Sequence, residues 1–555
     1  MSTCRPRRLV ATAIIASATM LTNCGPPPAT PPPFAEDTPR LMLFLVIDQF
    51  SQEYLVRMRQ VLSGGFGYLL DNGVVFTNAH QNHANTVTGA GHATLATGAY
   101  PRRSGIIGNG WYDRETGEEI YSVEDEQHHR SPSNLLVTTI GDWLKDMDPH
   151  SKIFAASGKD RSAILTGGHQ ADGAFWDSDG NWETSSYYSE PDWLDVFNDR
   201  KWLDQFFGKL WEPLPVEDDV LKELSIVTLD EGIYQRSFPY AFGSKSLLPN
   251  SDFYDALKSS PFSDMYLAEL AKTIIVEEEL GTDEHPDFLG LAFSAVDSVG
   301  HDFGPHSREV LDTILRLDQT LADLLKFVDQ LIGLDNVVIS LSSDHGVVPI
   351  PAYRESVGNW GEQADMDDIA CFQTAGRVLN ERYGDTDWLK VGRYLNDEMI
   401  EAAGIGRSKI EGEIAALLAT CDSVEHVWTR SELLATEPTS AAEQPAEGEA
   451  YFRQLFFNSY HSERSPDFSL QYVPYYLDSM GRGSSHGTPY KYDTWVPFIV
   501  IAPGFGSQQI SDRVHTADMA PTLASIMGIE TPTNLDGVDL SASPGTMRSS
   551  RERNP

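Results

Sequence analysis

The chain has 555 residues, with 41 Lys+Arg against 81 Asp+Glu and a formal net charge of −40. Apolar residues make up 41% and aromatics 10%, which suits a large globular core and excludes wholesale disorder. The acidity excludes nucleic acid as a main partner, because phosphate backbones are held by clustered Lys and Arg. Any anionic substrate needs a site made positive locally, and metal ions are one means of doing so.

In chain order, Arg5, Arg7 and Arg8 form a basic start, and the uncharged apolar run Leu9–Leu21 follows. That run is too short for a membrane span of ~20 residues and fits a signal-peptide core, so residues 1–24 are expected to direct export. Leu21-Thr22-Asn23-Cys24 resembles a bacterial lipobox, with Asn23 where a small residue is usual, and Cys24 is the residue that would take a lipid anchor. The expected location is periplasmic, or at the outer membrane or cell surface as a bacterial lipoprotein. Residues 25–37 are Pro-rich and read as an extended spacer. Of the remaining cysteines, Cys371 and Cys421 either pair in an oxidising compartment or are unrelated buried thiols.

Short apolar runs then end abruptly in polar residues. Leu41–Ile47 leads into Asp48, Phe288–Val296 into Asp297, and Asn336–Leu341 into Ser342-Ser343-Asp344-His345; Trp495–Ala502 is a fourth run. Continuous rather than alternating hydrophobicity predicts strands buried on both faces, as in a parallel sheet flanked by helices. Val310, Ile314, Leu317, Leu321, Leu324 and Val328 are spaced as one face of a helix that Gly333 can close. Strand, helix and strand make a βαβ unit of an α/β fold, whose ligands bind beyond the carboxyl ends of the strands. The expected catalytic domain is discontinuous and spans 38–542, with inserted cap segments near 171–285 and 355–475 and a flexible tail at 543–555. The first insertion opens with a hairpin about Asp179-Gly180, and the second contains the polar stretch Thr436–Glu449.

Three literal motif matches are set aside. Cys4-Arg5-Pro6-Arg7-Arg8 spells a sulfatase maturation pattern but lies in the export segment. Gly483-Ser484-Ser485-His486-Gly487 spells a serine-hydrolase elbow without the strand before it or the helix after it. Gly89-Ala90-Gly91 begins a dinucleotide fingerprint whose third glycine is Thr94.

The chemistry gathers in Asp48, Asp297, His301, Asp344, His345 and His486. An Asp-x-x-x-His pair and an adjacent Asp-His pair suit zinc, although manganese or cobalt could take the same ligands. Singly, each residue has a plain structural role: Asp48 as a helix cap, Asp344-His345-Gly346 as a turn, His486 as a loop histidine. Three strand ends delivering such residues to one edge point to a metal centre. Thr88 stands at the start of a short helix, where free N–H groups favour anions; it is either a nucleophile activated by base or metal or simply an N-cap.

The segments Asn85–Gly98, Gly98-Ala99-Tyr100-Pro101, Gly105–Asp113, Asp297-x-x-x-His301, Ser343–Gly346, Gly483–Gly487 and His515–Thr522 together resemble the alkaline phosphatase superfamily. Within it the chain is most similar to bacterial phosphate-irrepressible alkaline phosphatases with a threonine nucleophile. The resemblance implies an α/β fold with a mostly parallel central sheet. It makes Thr88 both nucleophile and metal ligand. Two zinc ions per chain would be held, one by Asp297, His301 and His486, the other by Asp48, Asp344, His345 and the Thr88 oxygen. Asn109 would donate to a phosphoryl oxygen, and Lys159 and Arg161 would meet the remaining phosphate charge. If the strand through Lys152–Ser157 continues, its two-residue period puts Lys159 and Arg161 on one face and Asp160 on the other. His92 is expected to be packed on the short helix, His306 not to be a ligand, and His515 to be structural.

The expected activity is hydrolysis of small phosphate monoesters through a phosphothreonine intermediate, because two cations beyond the metals reward the extra charge of a monoester dianion. The alternatives are a phosphodiesterase or phosphonate-ester hydrolase of the same fold, a non-catalytic metal-binding surface protein, and a serine hydrolase using Ser484.

Overall fold

A computed structural model describes residues 34–542, apart from 36, 227–236, 244–245, 357–367, 385, 440–444, 446 and 477–482. The export segment with Cys4 and Cys24, most of the Pro-rich spacer, the 543–555 tail and Met480–Arg482 therefore lie outside the described residues. So does part of Thr436–Glu449.

The central sheet comprises β1 (Leu41–Ile47), β2 (Val74–His80), β3 (Ile153–Ser157), β4 (Gly173–Ser178), β5 (Asn181–Glu183), β6 (Asp287–Phe293), β7 (Val337–Ser342), β8 (Trp495–Ile501), β9 (Gln508–Ile510) and β10 (Val514–His515). Its order is β9-β2-β8-β7-β1-β6-β3-β4-β5, with β10 also pairing with β2. β1 is parallel to both β6 and β7, β6 to β3, and β3 to β4. Every residue of β1 is buried. Leu41, Leu43, Leu45 and Ile47 enter one apolar core, while Met42, Phe44 and Val46 enter the other. A strand covered on both faces has no polar side to alternate with, which explains the unbroken apolar run.

The fourth run departs from expectation. β8 is antiparallel to both β7 and β2. Its burial on both faces was legible, but burial is the same for either strand direction.

The periodic helix spans Arg308–Leu331, with Ser307 Oγ accepting the Val310 N–H at 3.1 Å and Gly333 beyond its end at φ 82°. The strand expected through Val296 ends at Phe293, and Asp297 lies in the first turn of a helix, Ala295–Phe303.

The hairpin about Asp179-Gly180 forms with Ser178 opposite Asn181, and its strands β4 and β5 extend the central sheet. Trp182, Phe197, Trp211 and Phe253 from the same stretch enter the main core. Residues between 379 and 472 build a separate core around Trp388, Ile410, Ile414 and Leu418. Cys421 is disulfide-bonded, while the Cys371 side chain lies outside the described residues. Among the described residues, no helix is long and apolar enough to cross a membrane.

Candidate active site

β7, β1 and β6 are neighbours in the sheet and parallel, so their carboxyl ends open onto one edge. Asp48 follows β1, Asp344 and His345 follow β7, and Asp297 and His301 face the same edge one turn apart on the helix Ala295–Phe303. The loop carrying His486 completes the ring. Ligand atoms of Asp297, His301 and His486 lie within 4.8 Å of one another, and those of Asp48, Asp344 and His345 do likewise. The structure thus brings all six together, in two groups of three.

The donor set fits two cations. His301 Nδ1–H donates to the Ser484 carbonyl at 2.8 Å, His486 Nδ1–H to the Thr86 carbonyl at 2.8 Å, and His345 Nδ1–H to the Gly346 carbonyl at 3.0 Å. Each bond fixes the tautomer that leaves the Nε2 lone pair for a metal. Asp48 Oδ1, Asp344 Oδ2 and His345 Nε2 are buried without a hydrogen-bond partner. Buried oxygens and nitrogens of this kind are costly unless something positive meets them.

The charges point the same way. Burial, with the charge of Asp48, pushes the Asp344 carboxyl well above the usual carboxylate range. Burial would raise Asp297 too, but the Lys159 ammonium and His301 hold it well below that range. Burial keeps His486 well below its ordinary value and lowers His345 as well, so both imidazoles stay neutral and able to ligate. The Lys159 ammonium donates to Asp48 Oδ2 at 2.5 Å and Asp297 Oδ2 at 2.6 Å. One ammonium between three buried carboxylates leaves a deficit of positive charge.

Thr88 begins the helix Thr88–Thr97 and is buried. Arg161 Nη2 lies 3.4 Å from its Oγ1. Asn109 Oδ1 accepts the Gly89 N–H at 2.8 Å, leaving the Nδ2 hydrogens available to a ligand oxygen. The helix passes so close to the β7 end that a Cβ at Gly91 would stand 2.3 Å from the Asp344 carbonyl oxygen. Beside Asn109 and His486 opens a cavity of about 330 Å³, lined among others by Asn85, Trp111, Tyr394, Tyr472 and Gly487.

Lys159 and Arg161 arrive by another route than the expected strand. β3 ends at Ser157, and Asp160–Gly167 is a helix. Lys159 keeps extended backbone just before it, while Arg161 lies in its first turn. Asp160 accepts from the Tyr121 hydroxyl and from Arg130 Nε at 2.7 Å, and the Tyr121 oxygen accepts from Arg161 Nη1 at 3.2 Å. Tyr121 and Asp160 therefore orient Arg161, which no local motif announces.

Gln49 was also missed. Its Nε2 donates to Asp297 Oδ1 at 2.7 Å and its backbone N–H to Asp344 Oδ1 at 3.2 Å, with φ 62°. It ties a carboxylate of each group, and its adjacency to Asp48 was the one available signal. His92 is fully buried with Nδ1 3.2 Å from Thr166 Oγ1, as a packed residue should be, yet its Nε2 lies 3.6 Å from Asp344 Oδ2. His306 is buried against Glu53 at 3.2 Å, away from both groups, and His515 pairs across the sheet with His80. Ser484 Oγ donates to the Val348 carbonyl, and no helix follows it, which removes the serine-hydrolase reading.

A family model described as type I phosphodiesterase / nucleotide pyrophosphatase matches residues 42–474. The chain is 32% identical over 530 residues to a Myroides odoratus protein named calcium-transporting ATPase, covering 89% of this chain and 93% of that one. It is 30% identical over 534 residues to alkaline phosphatase PhoV of Synechococcus elongatus, covering 90% and 92%. A crystal structure of alkaline phosphatase PafA, substituted at a threonine, an asparagine, a lysine and an arginine, matches with TM-score 0.81 at 26% identity, covering 91% of this chain and 98% of that one. Its substituted threonine and asparagine have the sequence separation of Thr88 and Asn109, and its lysine and arginine that of Lys159 and Arg161.

Proposed function

The chain belongs to the alkaline phosphatase superfamily, and from that premise we propose that it is an exported phosphomonoesterase. It releases inorganic phosphate through a phosphothreonine intermediate and uses two zinc ions held by its two ligand groups. The observation that supports the monoesterase reading is the convergence of two cations on the nucleophile's surroundings. Arg161 lies 3.4 Å from Thr88 Oγ1, and Lys159 bridges Asp48 and Asp297. A monoester dianion has one more charged oxygen than a diester, and these cations reward it. Export rests on the basic and apolar N-terminal pattern of residues 5–21.

Thr88 Oγ1 gives up its hydroxyl proton and attacks phosphorus; the bond to the leaving oxygen breaks with its electron pair, and that oxygen takes up a proton to leave as the alcohol. Water then attacks the phosphothreonine phosphorus, the bond to Oγ1 breaks, one water proton restores the Thr88 hydroxyl, and hydrogen phosphate departs. Asn109, Lys159 and Arg161 hold the equatorial oxygens, where the charge of phosphoryl transfer is spread. Metals held by Asp297, His301 and His486 and by Asp48, Asp344, His345 and the Thr88 oxygen would supply Lewis-acid charge to the displacement. The cavity beside Asn109 seats the organic part of the substrate.

The second reading, a phosphodiesterase, is favoured by the description of the matching family model. Initial rates on an aryl phosphate monoester and its matching diester separate the two, measured as purified, after EDTA and after zinc is restored. A large monoester preference, lost with EDTA and regained with zinc, is expected. A diester preference with the same metal dependence would replace the monoesterase reading, and activity indifferent to exhaustive chelation would overturn the metal centre.

A further inference from the structure

A second cluster of ligating side chains lies at the opposite edge of the sheet from the active centre. Residues 148–151 lead into β3, and residues 279–286 lead into β6, its parallel neighbour. These loops precede the strands whose far ends deliver Lys159 and Asp297. The two loops meet at the Asp148 carboxylate, which is 2% exposed. It accepts from His285 Nδ1 at 2.6 Å, from His150 Nδ1 at 3.2 Å and from the His150 backbone N–H at 3.0 Å. The imidazoles stack with centroids 4.7 Å apart and planes 28° apart.

One ligand atom from each of Asp148, His150 and His285 falls within 4.8 Å of the other two. The hydrogen bond to Asp148 raises His285 above its ordinary value, so a cation at this cluster competes with a proton there. Once deprotonated, two imidazoles and one carboxylate are the donor set of a borderline divalent cation. The loop adds negative field through Asp283 and Glu284, and Asp283 Oδ1 accepts the His285 N–H at 2.9 Å. The His150 side chain is 75% exposed and that of His285 24%, so water can complete the coordination from the open side.

We propose that Asp148, His150 and His285 form a metal site for zinc or a similar borderline divalent cation, separate from the catalytic groups, that cross-links the loops preceding β3 and β6. Binding replaces the protons that the imidazoles share with Asp148, so affinity rises with pH. This inference does not depend on which phosphate ester is hydrolysed.

The test is the metal content of the full chain after equilibrium dialysis against low-micromolar free zinc, compared with a His150→Gln/His285→Gln double variant. The double variant is expected to hold one equivalent less per chain while keeping its rate on an aryl phosphate monoester. The same comparison in an Asp48→Asn/Asp297→Asn background, where the catalytic groups are impaired, is expected to show the same loss. Equal zinc content in the two proteins would overturn the proposal and leave Asp148 as the partner of a protonated His285. If the double variant does not fold, His150→Gln alone decides the matter, since its exposed side chain is removable. Its zinc affinity at this site should fall at least about tenfold, and an unchanged affinity would overturn the proposal.

Discussion

His301, His345 and His486 each give Nδ1–H to a backbone carbonyl, and these bonds leave each Nε2 aimed and able to ligate a metal. Arg161 depends in the same way on Tyr121, whose hydroxyl in turn donates to Asp160. A charged hydrogen bond to a bound phosphate, as proposed for Lys159 and Arg161, would contribute about 1.5–3 kcal/mol. Lys159→Ala and Arg161→Ala are therefore expected to lower kcat/KM on an aryl monoester by roughly 10- to 100-fold each, with little effect on a diester. Tyr121→Phe should act in the same direction but less strongly, because the arginine remains. Steady-state rates on both substrates check this, and equal losses on monoester and diester would show that the cations do not read the extra charge.

At the scale of elements, Thr88, the proposed nucleophile, is placed by how closely one helix approaches one strand end. A Cβ at Gly91 would stand 2.3 Å from the Asp344 carbonyl oxygen and 2.7 Å from the Asp344 Cα. Neither is the end of a flexible side chain, so the helix Thr88–Thr97 must move. Gly91→Ala is expected to cost about 1–3 kcal/mol and to draw Thr88 away from Asp48, Asp344 and His345. Thermal unfolding together with zinc affinity checks the point, and a variant with unchanged stability and activity would show that the contact relaxes freely. The loop before Thr88 is held from another side by the helix Glu449–Ser459: the Ala84 N–H donates to the Leu455 carbonyl at 3.1 Å and to Ser459 Oγ at 2.7 Å. That helix packs Tyr451, Leu455 and Phe456 in one cluster with Ala84, and thereby supports the segment leading to Thr88.

Over the whole molecule, a net charge of −40 works against the compact state through self-repulsion. The active centre concentrates that problem, with Asp48, Asp297 and Asp344 all buried around Lys159. A cation that binds the folded chain stabilises it by mass action, by about 4 kcal/mol when free metal exceeds its dissociation constant a thousandfold. Chelation is accordingly expected to lower the midpoint of thermal unfolding and added zinc to restore it, as calorimetry would show. A midpoint insensitive to both would mean that the carboxylates are neutralised by protons and Lys159 alone.

The residues of the two candidate metal groups were legible in part because Asp48 and Asp344-His345 sit where apolar runs stop. A strand buried on both faces is apolar along most of its length, and the charged residue that follows the run marks the sheet edge where a ligand can be met. Leu41–Ile47 before Asp48 shows this, and Val337–Ser342 before Asp344 does so with only the small Ser340 and Ser342 as polar members among its buried residues. The long helix was legible for a related reason, since its buried face repeats with the helical period. What the sequence could not determine depends on the path of the chain. β8 is as apolar as its parallel neighbours, and only its neighbours in the sheet decide that it runs antiparallel. The strand before Lys159 stops at Ser157 because the chain turns into a helix, so the two cations converge through extended backbone and a long arginine rather than through a shared strand face. Gln49 and Tyr121 act on residues distant in sequence, Asp344 and Arg161. Composition and spacing set which residues are buried and at what period; the tertiary structure alone decided which buried groups meet.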